Sequence, residues 1–318
     1  MERSRCRFLK AERRRHRLFT VQKPPPVYDV DLVLHPEEDQ SYFFFEGAAT
    51  NPFQANPPGG IPRVNAWWLA ETSLVAYQEA PRAAAIFNAA ELQCEPLVSD
   101  STEAYVVYGS DFVVAVFRGT QPDQWKDIVT DVQMALVPWP TGGLVHRGFR
   151  AALDSIWPAL TDSLSRLSAG RTVWFAGHSH GAALATLAAD RYPGTRGVCT
   201  FGSPRVGDPT FAAALTAKFA MRMLRFVNNH DIVTHVPPPL FGYTHIDLRR
   251  LIARDGTISN QSPTLQHFFS TLIGAPEQLL TLVKAIEDGT SGFTPSFLLD
   301  HMPKAYAIWT WNDFDVHT

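Results

Sequence analysis

The stretch Gly177–Gly181, which reads Gly-His-Ser-His-Gly, constrains the fold more than any other part of the sequence. It lies between a short apolar strand predicted over Thr172–Ala176 and an alanine-rich helix predicted over Ala182–Arg191, which Pro193 ends. The turn from strand to helix is so sharp that the residues two positions before and after Ser179 must lack side chains. We therefore expect Ser179 to stand above a sheet at a helix N-terminus, where developing negative charge is favoured.

Strands and helices alternate on both sides of this stretch. The predicted elements are helix Val64–Glu79, strands Ala104–Tyr108 and Phe112–Phe117 joined by a turn at Gly109–Asp111, a helix over 149–168, strand Val198–Phe201, a helix over 209–219 and strand Met223–Val227. This order predicts an α/β fold with a mostly parallel central sheet and helices on both faces. Ligands of such sheets bind outside the carboxyl ends of the strands.

The composition fits a folded protein. Hydrophobic residues make up 45% and charged residues 19% of the chain, so the low hydrophobicity and high charge of disordered chains are absent. The formal net charge of −3 argues against nucleic-acid binding by the whole protein. The three cysteines, Cys6, Cys94 and Cys199, form no metal-type cluster or disulfide framework, and no phosphate-binding or dinucleotide motif is present. We therefore expect no cofactor and no metal.

The N-terminus is strongly basic, with eight arginines and lysines among the first seventeen residues. Pro24–Pro26 then stiffens the chain, so we predict a flexible tail over residues 1–27 and a single domain over 28–318. A solvated tail is favoured over one that contacts an anionic lipid interface. The sequence shows neither a signal peptide nor an apolar run of membrane-spanning length, which predicts a cytoplasmic location or non-classical export. It indicates no oligomeric state.

A serine nucleophile at such a strand–helix turn needs an aspartate and then a histidine later in the chain. Asp231 follows strand Met223–Val227 at its carboxyl end. Two aspartates compete with it. Asp208 fits better as the N-cap of the next helix, and Asp247 falls in a predicted strand.

Four histidines follow Asp231 and are candidates for the general base: His245, His267, His301 and His317. His317 is next to the chain end, and His245 falls in a strand-like pattern. His301 lies in a loop that leads into a predicted C-terminal helix, which makes it the favoured candidate, with His267 as the main alternative.

From Asn65 to Tyr306 the sequence resembles the class 3 lipases of the fungal-lipase type, a family with bacterial members. The resemblance rests on a series of short motifs in family order: Phe117-Arg118-Gly119-Thr120, Trp125 with Asp127 and Asp131, His146-Arg147-Gly148-Phe149, Gly177–Gly181, Phe201–Gly207 and Phe226–Val233. It implies an α/β-hydrolase fold and the hydrolysis of lipid esters, as in triacylglycerol lipases, through an acyl-enzyme on a serine.

The resemblance also implies roles for individual residues. Ser179 is the nucleophile, Asp231 the aspartate of the catalytic triad, and His301, before an aromatic helix, its histidine. The oxyanion hole takes one backbone N–H from His180 and, by resemblance, a second from Thr120.

Two positions depart from the family pattern: His180 stands where leucine is usual, and Ala182 stands where the second of two glycines is usual. The His180 ring either adds a polar group beside the oxyanion or fills space. Space filling is favoured, because the backbone N–H is the group that acts at this position.

Two amphipathic stretches lie near the predicted site. The resemblance implies a lid over the serine at the start of Gln124–Pro140, and an ordinary helix packed on the domain is the alternative. Leu272–Ile286 either walls an acyl pocket or packs against the core, and packing is favoured.

Two other functions remain open from the sequence. A carboxylesterase or phospholipase would use the same triad on soluble or polar esters. A binding protein of the same fold is disfavoured, because all three triad candidates are present.

Overall fold

The protein is described by a computed structural model over residues 22–39, 41–100, 102–119, 135–260 and 296–317. Its strands are β1 (Gln93–Ser99), β2 (Thr102–Tyr108), β3 (Phe112–Phe117), β4 (Leu136–Pro138), β5 (Leu144–His146), β6 (Thr172–His178), β7 (Thr195–Phe201), β8 (Met223–Asn228), β9 (Arg249–Ile252) and β10 (Ile258–Ser259). Eight of them form one sheet in the order β1-β2-β3-β6-β7-β8-β9-β10, and β4 pairs with β5 separately. Strands β3, β6, β7, β8 and β9 are parallel, whereas β1, β2 and β10 run antiparallel to their neighbours.

Helices flank this sheet. They are α1 (Val30–Leu34), α2 (Arg63–Val75), α3 (Ala80–Ala89), α4 (Arg147–Leu167), α5 (His180–Arg191), α6 (Pro209–Phe219), α7 (Ser296–Leu299) and α8 (Pro303–Val316). Helix α2 packs between α8 and β6 and is buried at every position after Arg63, including the polar residues Asn65, Glu71, Thr72 and Ser73. No helix in the described ranges is long and apolar enough to cross a membrane.

The centre of the sheet follows from the sequence. Strand β3 is a continuous apolar run, as expected of a strand that is covered on both faces, and every one of its residues is buried. Helix α5 packs on β3, β6 and β7, and its alanines allow this close approach. The predicted α/β-hydrolase fold, with a mostly parallel sheet between helices, is confirmed.

The predicted elements around the site are present; β6, α5 and β7 are longer than the sequence suggested, whereas the helix predicted over Val64–Glu79 ends at Val75. Strand β6 continues to His178, and α5 begins at His180, so the turn between them consists of Ser179 alone. Asp208 caps α6, because its Oδ1 accepts a hydrogen bond from the Phe211 N–H at 2.8 Å.

Leu136–Pro138, at the end of the stretch Gln124–Pro140, is strand β4 paired with β5. One local prediction was wrong. Asp247 lies in a bend before β9 rather than in a strand.

Several predicted features lie outside the described residues: Thr120, the stretch 124–134, His267, Leu272–Ile286 and residues 1–21 of the predicted tail. Of the rest of that tail, Lys23 is buried against the domain. Its Nζ donates to Tyr42 at 2.9 Å and to Glu71 at 3.3 Å, and the Glu71 carboxylate is fully buried. The packed chain therefore extends at least to Lys23, ahead of the predicted boundary after residue 27.

Candidate active site

The parallel strands bring distant residues to one edge of the sheet. The last residues of β3, β6, β7 and β8 are paired in register, with Phe117 opposite Gly177, His178 opposite Phe201 and Phe201 opposite Phe226. The segments that follow these strands therefore start side by side. They contain Gly119, Ser179, Gly202 and Asp231, so the sheet register alone collects the candidate residues.

Ser179 occupies a strained turn between β6 and α5. Its φ is 58° and its ψ −129°, a combination that L-residues rarely adopt and that typically costs about 1–3 kcal/mol. The Ser179 N–H donates to the Phe201 carbonyl at 2.9 Å and holds the turn on β7. The Ser179 Oγ is buried and has no hydrogen-bond partner within the described part of the chain.

The two glycines of this turn are required by space. A Cβ on Gly177 would lie 2.3 Å from the Gly181 carbonyl oxygen. A Cβ on Gly181 would lie 2.1 Å from the Phe117 carbonyl oxygen at the end of β3. Both contacts are with backbone, which cannot move aside, and this matches the steric reason expected from the sequence.

Asp231 and His301 are brought together although 70 positions separate them. The His301 Nδ1 lies 2.9 Å and 2.8 Å from the two carboxylate oxygens of Asp231. Because a carboxylate only accepts, the Nδ1 carries the proton. Both side chains are almost completely buried, at 1% exposure for His301 and 0% for Asp231. Such a pair holds an imidazole in one orientation and one tautomer.

Further groups fix the Asp231 carboxylate. The Tyr306 hydroxyl donates to Oδ2 at 2.5 Å, and the Val233 N–H donates to Oδ1 at 2.9 Å. The same Tyr306 oxygen accepts the Asn228 N–H at 3.0 Å, which ties α8 to the end of β8. Burial, followed by the charge of Asp231, raises the pKa of Tyr306 well above its ordinary value, so this hydroxyl stays a donor.

Tyr306 and Gly202 were not singled out from the sequence. Gly202 has a φ of 59°, and a Cβ there would lie 2.7 Å from Asp231 Oδ2 and 2.9 Å from His301 Nδ1. Its absent side chain therefore leaves the space in which the Asp231–His301 pair meets. The Phe201–Gly207 motif was the available signal for Gly202, whereas only the aromatic character of the last helix pointed toward Tyr306.

Asp300 supports the loop that carries Asp231. Its Oδ2 accepts the Asn229 side-chain amide at 2.9 Å and the His230 N–H at 3.1 Å. Asp300, which precedes His301, thus binds Asn229 and His230, the two residues before Asp231. The two loops are therefore joined both by Asp300 and by the Asp231–His301 pair.

Two imidazoles lie on the other side of the turn. The His180 ring packs on Phe149 with centroids 5.4 Å apart, and His146 stacks on the same Phe149 at 4.1 Å. Burial lowers the pKa of His180 to about 4, and burial followed by the charge of His180 lowers the pKa of His146 to about 4. Both rings are therefore neutral near pH 7. His180 fills space beside Phe149 and is also a polar group next to Ser179.

The competing candidates lie elsewhere. Asp208 is engaged as a helix cap, and His245 contacts the Thr234 carbonyl at 2.5 Å through its Nε2. The position of Thr120 is not described, but Gly119 before it lies at the end of β3, next to the serine turn. The prediction for Thr120 stays a prediction.

Comparison with known proteins places this geometry in a family. Residues 114–241 match the family described as lipase (class 3). This segment of the chain belongs to the class 3 lipase family. The class 3 lipase segment contains Ser179 and Asp231 but ends before His301. The choice of His301 as their partner therefore rests on the geometry described above.

Curated relatives of the class 3 lipase segment include lipases of Rhizopus and Rhizomucor. The lipase of Rhizopus niveus is 32% identical over 165 residues, which are 47% of this chain and 41% of that protein. The lipase of Rhizomucor miehei is 32% identical over 160 residues, which are 45% of this chain and 43% of that protein. The match thus spans less than half the length of these curated relatives.

Solved structures resemble the fold over a longer stretch. The Rhizomucor miehei lipase in its propeptide complex has a TM-score of 0.51 at 26% identity, covering 65% of this chain and 75% of that one. A structure of the triacylglyceride lipase of the same organism has a TM-score of 0.53 at 24% identity, covering 75% and 92%, and bears on the fold alone.

Proposed function

We propose that the protein hydrolyses carboxylic esters of lipids, with Ser179 as nucleophile and Asp231 and His301 as its acid–base partners. One observation carries the proposal. A serine in a strained strand–helix turn directly follows His178, whose ring packs at 4.3 Å on the ring of His301, a buried histidine whose Nδ1 is held by a buried carboxylate. This arrangement prepares a hydroxyl for attack on an acyl group.

The reaction has two halves. His301 Nε2 accepts the Ser179 proton while Oγ attacks the ester carbonyl, and the imidazolium then gives the proton to the leaving alcohol. Water attacks the acyl-enzyme in the second half, His301 again acts as base, and the carboxylic acid leaves. Asp231 stabilises the charged imidazole in both halves.

The negative oxygen of each tetrahedral intermediate needs hydrogen-bond donors. The N–H of His180 begins helix α5, where the helix dipole favours negative charge. The N–H of Thr120 is the second proposed donor, since Thr120 follows the end of β3 beside the serine turn. Loss of one such donor typically costs about 2.7–4 kcal/mol in the transition state.

Lipid esters are the proposed substrates because the segment's relatives in Rhizopus and Rhizomucor are named lipases. The similarity in fold to a triacylglyceride lipase is consistent with lipid esters as substrates, but the choice of substrate does not rest on it. The lid predicted at the start of Gln124–Pro140 would shield an apolar site in water, and contact with a lipid interface is part of the proposal.

An esterase for short or polar esters is the second candidate. The neutral imidazole of His180, which follows Ser179 and packs with His146 on Phe149, favours it, because it adds a polar group where a lipase pocket is expected to be apolar. Both candidates use the same triad and differ in the acyl group that they accept.

The test is hydrolysis of p-nitrophenyl esters with acyl chains of two to sixteen carbons, together with a triacylglycerol emulsion. Ser179→Ala is compared with Ser163→Ala, which removes the hydroxyl of another buried serine, on α4. We expect turnover by the native protein and by Ser163→Ala, with none above background for Ser179→Ala. A maximum at medium or long chains supports the lipase, a maximum at two to four carbons supports the esterase, and no turnover of any ester contradicts both.

A further inference from the structure

His178, the residue immediately before Ser179, is buried and has a partner on each ring nitrogen. Its Nε2 lies 2.9 Å from the backbone carbonyl oxygen of His301. Its Nδ1 lies 2.7 Å from the hydroxyl oxygen of Tyr77, at the turn after α2. The serine strand is thus joined to the candidate base and to a tyrosine 101 positions earlier in the chain.

These partners determine the tautomer of His178. A carbonyl oxygen only accepts, so Nε2 carries a proton and donates to His301. Burial, followed by the charge of His301, lowers the pKa of His178 well below its ordinary value, so the ring is neutral and holds one proton. Nδ1 is therefore an acceptor, and the Tyr77 hydroxyl donates to it.

The Tyr77 hydroxyl also limits which side chain fits at residue 119, just after the end of β3. A Cβ on Gly119 would lie 1.9 Å from the Tyr77 oxygen and 3.0 Å from the His178 carbonyl oxygen. The hydroxyl therefore occupies the place that a side chain at residue 119 would need, directly before Thr120. With its proton committed to His178, it is not a donor to an oxyanion.

His178 contacts the ring of His301 as well as its backbone. The two imidazole centroids are 4.3 Å apart with an angle of 33° between the planes. Asp231 holds the Nδ1 edge of the His301 ring, and His178 covers one face of it. The His301 ring becomes positively charged during catalysis. Because the neighbouring His178 ring is neutral, it does not repel this charge.

From this geometry we infer that His178 and Tyr77 are positioning residues for His301: the Tyr77 hydroxyl, by donating to Nδ1, stabilises the Nε2–H tautomer of His178 that the His301 carbonyl requires, and His178 in this tautomer holds the His301 backbone and ring beside the serine turn. The inference rests on the proposed hydrolase function and deepens it. Neither residue takes part in bond making, and both act only through the orientation of the base.

A matched pair of substitutions separates the two hydrogen bonds. In His178→Gln the amide nitrogen reaches the place of Nε2 and can donate to the His301 carbonyl. In His178→Asn the shorter amide reaches only the place of Nδ1 and can contact Tyr77 but not His301. We expect kcat of the Asn variant to fall tenfold or more at nearly unchanged KM, since small misplacements of a catalytic group have large effects, and the Gln variant to stay within about threefold.

A purely structural role gives a different result. Each variant loses one buried hydrogen bond, so both would then lose Tm and kcat to a similar extent. Equal kcat values for Gln and Asn, at Tm values that keep both folded at the assay temperature, overturn the inference.

The second measurement is the ¹⁵N NMR spectrum of the histidine rings in the native protein and in Tyr77→Phe. The expected spectrum of the native protein has a neutral His178 with a protonated Nε2, and in Tyr77→Phe this tautomer loses population and kcat falls about two- to fivefold. A protonated Nδ1 in the native protein overturns the inference. Absence of ester hydrolysis by the native protein would instead contradict the proposed function, and the NMR result would still report the tautomer.

Discussion

The two sides of Ser179 are built differently. On the side of Asp231 and His301, hydrogen bonds donated by Tyr306 and Val233 and accepted by Asp300 fix the side chains and the loops that carry them. On the side of His146 and His180, the rings pack on Phe149, whose N–H donates to His146 Nδ1 at 3.3 Å, and His146 Nε2 is buried with no hydrogen-bond partner in the described residues.

This difference indicates that the two sides of Ser179 have different roles. The Asp231–His301 side needs one geometry, because proton transfer depends on the orientation of the imidazole. On the His146–His180 side, His146 Nδ1 caps helix α4 rather than holding a catalytic group, and burial keeps both rings neutral. We therefore expect substitutions on the first side to change kcat strongly and those on the second side to change the pH dependence of stability.

The largest effect is expected for Asp231→Asn. The amide is nearly isosteric, but it cannot stabilise an imidazolium and it favours the wrong His301 tautomer, so kcat should fall by about 10³–10⁴-fold. Steady-state kinetics on a soluble p-nitrophenyl ester measures this loss. Asp208→Asn is the control, because asparagine caps α6 equally well. A fall of less than tenfold for Asp231→Asn would remove Asp231 from the proposed triad.

The rigid side could be predicted from the sequence in part. Ser179 follows from the two glycines around it, and Asp231 follows from its place after an apolar strand, because parallel strand ends meet at one edge of a sheet. His301 was favoured among four candidate histidines because it lies in a loop before an aromatic helix, but that loop has no periodic pattern that would exclude His267.

Other contacts could not be predicted, for a physical reason. The Tyr77–His178 pair and the Tyr306–Asp231 pair join residues 101 and 75 positions apart, and tyrosine in a buried helix is equally consistent with simple packing. The hairpin at Leu136–Pro138 was not predicted, because a three-residue strand is too short to show an alternating pattern.

The second largest effect is expected for Gly202→Ala. The new methyl group would lie 2.7 Å from Asp231 Oδ2 and 2.9 Å from His301 Nδ1, so the pair must separate and kcat should fall about 10²-fold. Gly170→Ala is the matched control, because Gly170 also has a positive φ, of 74°, with no atom within 4 Å of the added Cβ. Both variants should lose similar stability from backbone strain, and only Gly202→Ala should lose activity. Comparable activity losses would show that strain and not the collision is responsible.

A smaller effect is expected for Tyr306→Phe. It removes the donor to Asp231 Oδ2 and leaves the Asn228 N–H without its acceptor, which should lower the unfolding free energy by about 1–3 kcal/mol and kcat by about tenfold. Tyr105→Phe is the control, since its buried hydroxyl donates to the Gln78 carbonyl at 2.8 Å, on the antiparallel strand β2. Urea unfolding and kinetics on both variants separate the two effects. An unchanged kcat for Tyr306→Phe would show that the Val233 N–H suffices to orient Asp231.

The smallest effect is expected for His180→Leu, and it concerns stability. The pKa of His180 is about 4 in the folded protein, below its ordinary value of 6.5, so the unfolded chain binds more protons between these values. Stability therefore falls as the pH decreases from 6.5 toward 4, and a leucine abolishes this contribution, on the order of 1 kcal/mol. Between pH 7 and pH 4.5 the variant should lose less unfolding free energy than the native protein, while His317→Leu, which removes an exposed imidazole, serves as the control. The same pH slope in the native protein and in His180→Leu would mean that the His180 ring reaches solvent and is not held neutral beside Phe149. The two sides of Ser179 would then differ in rigidity alone.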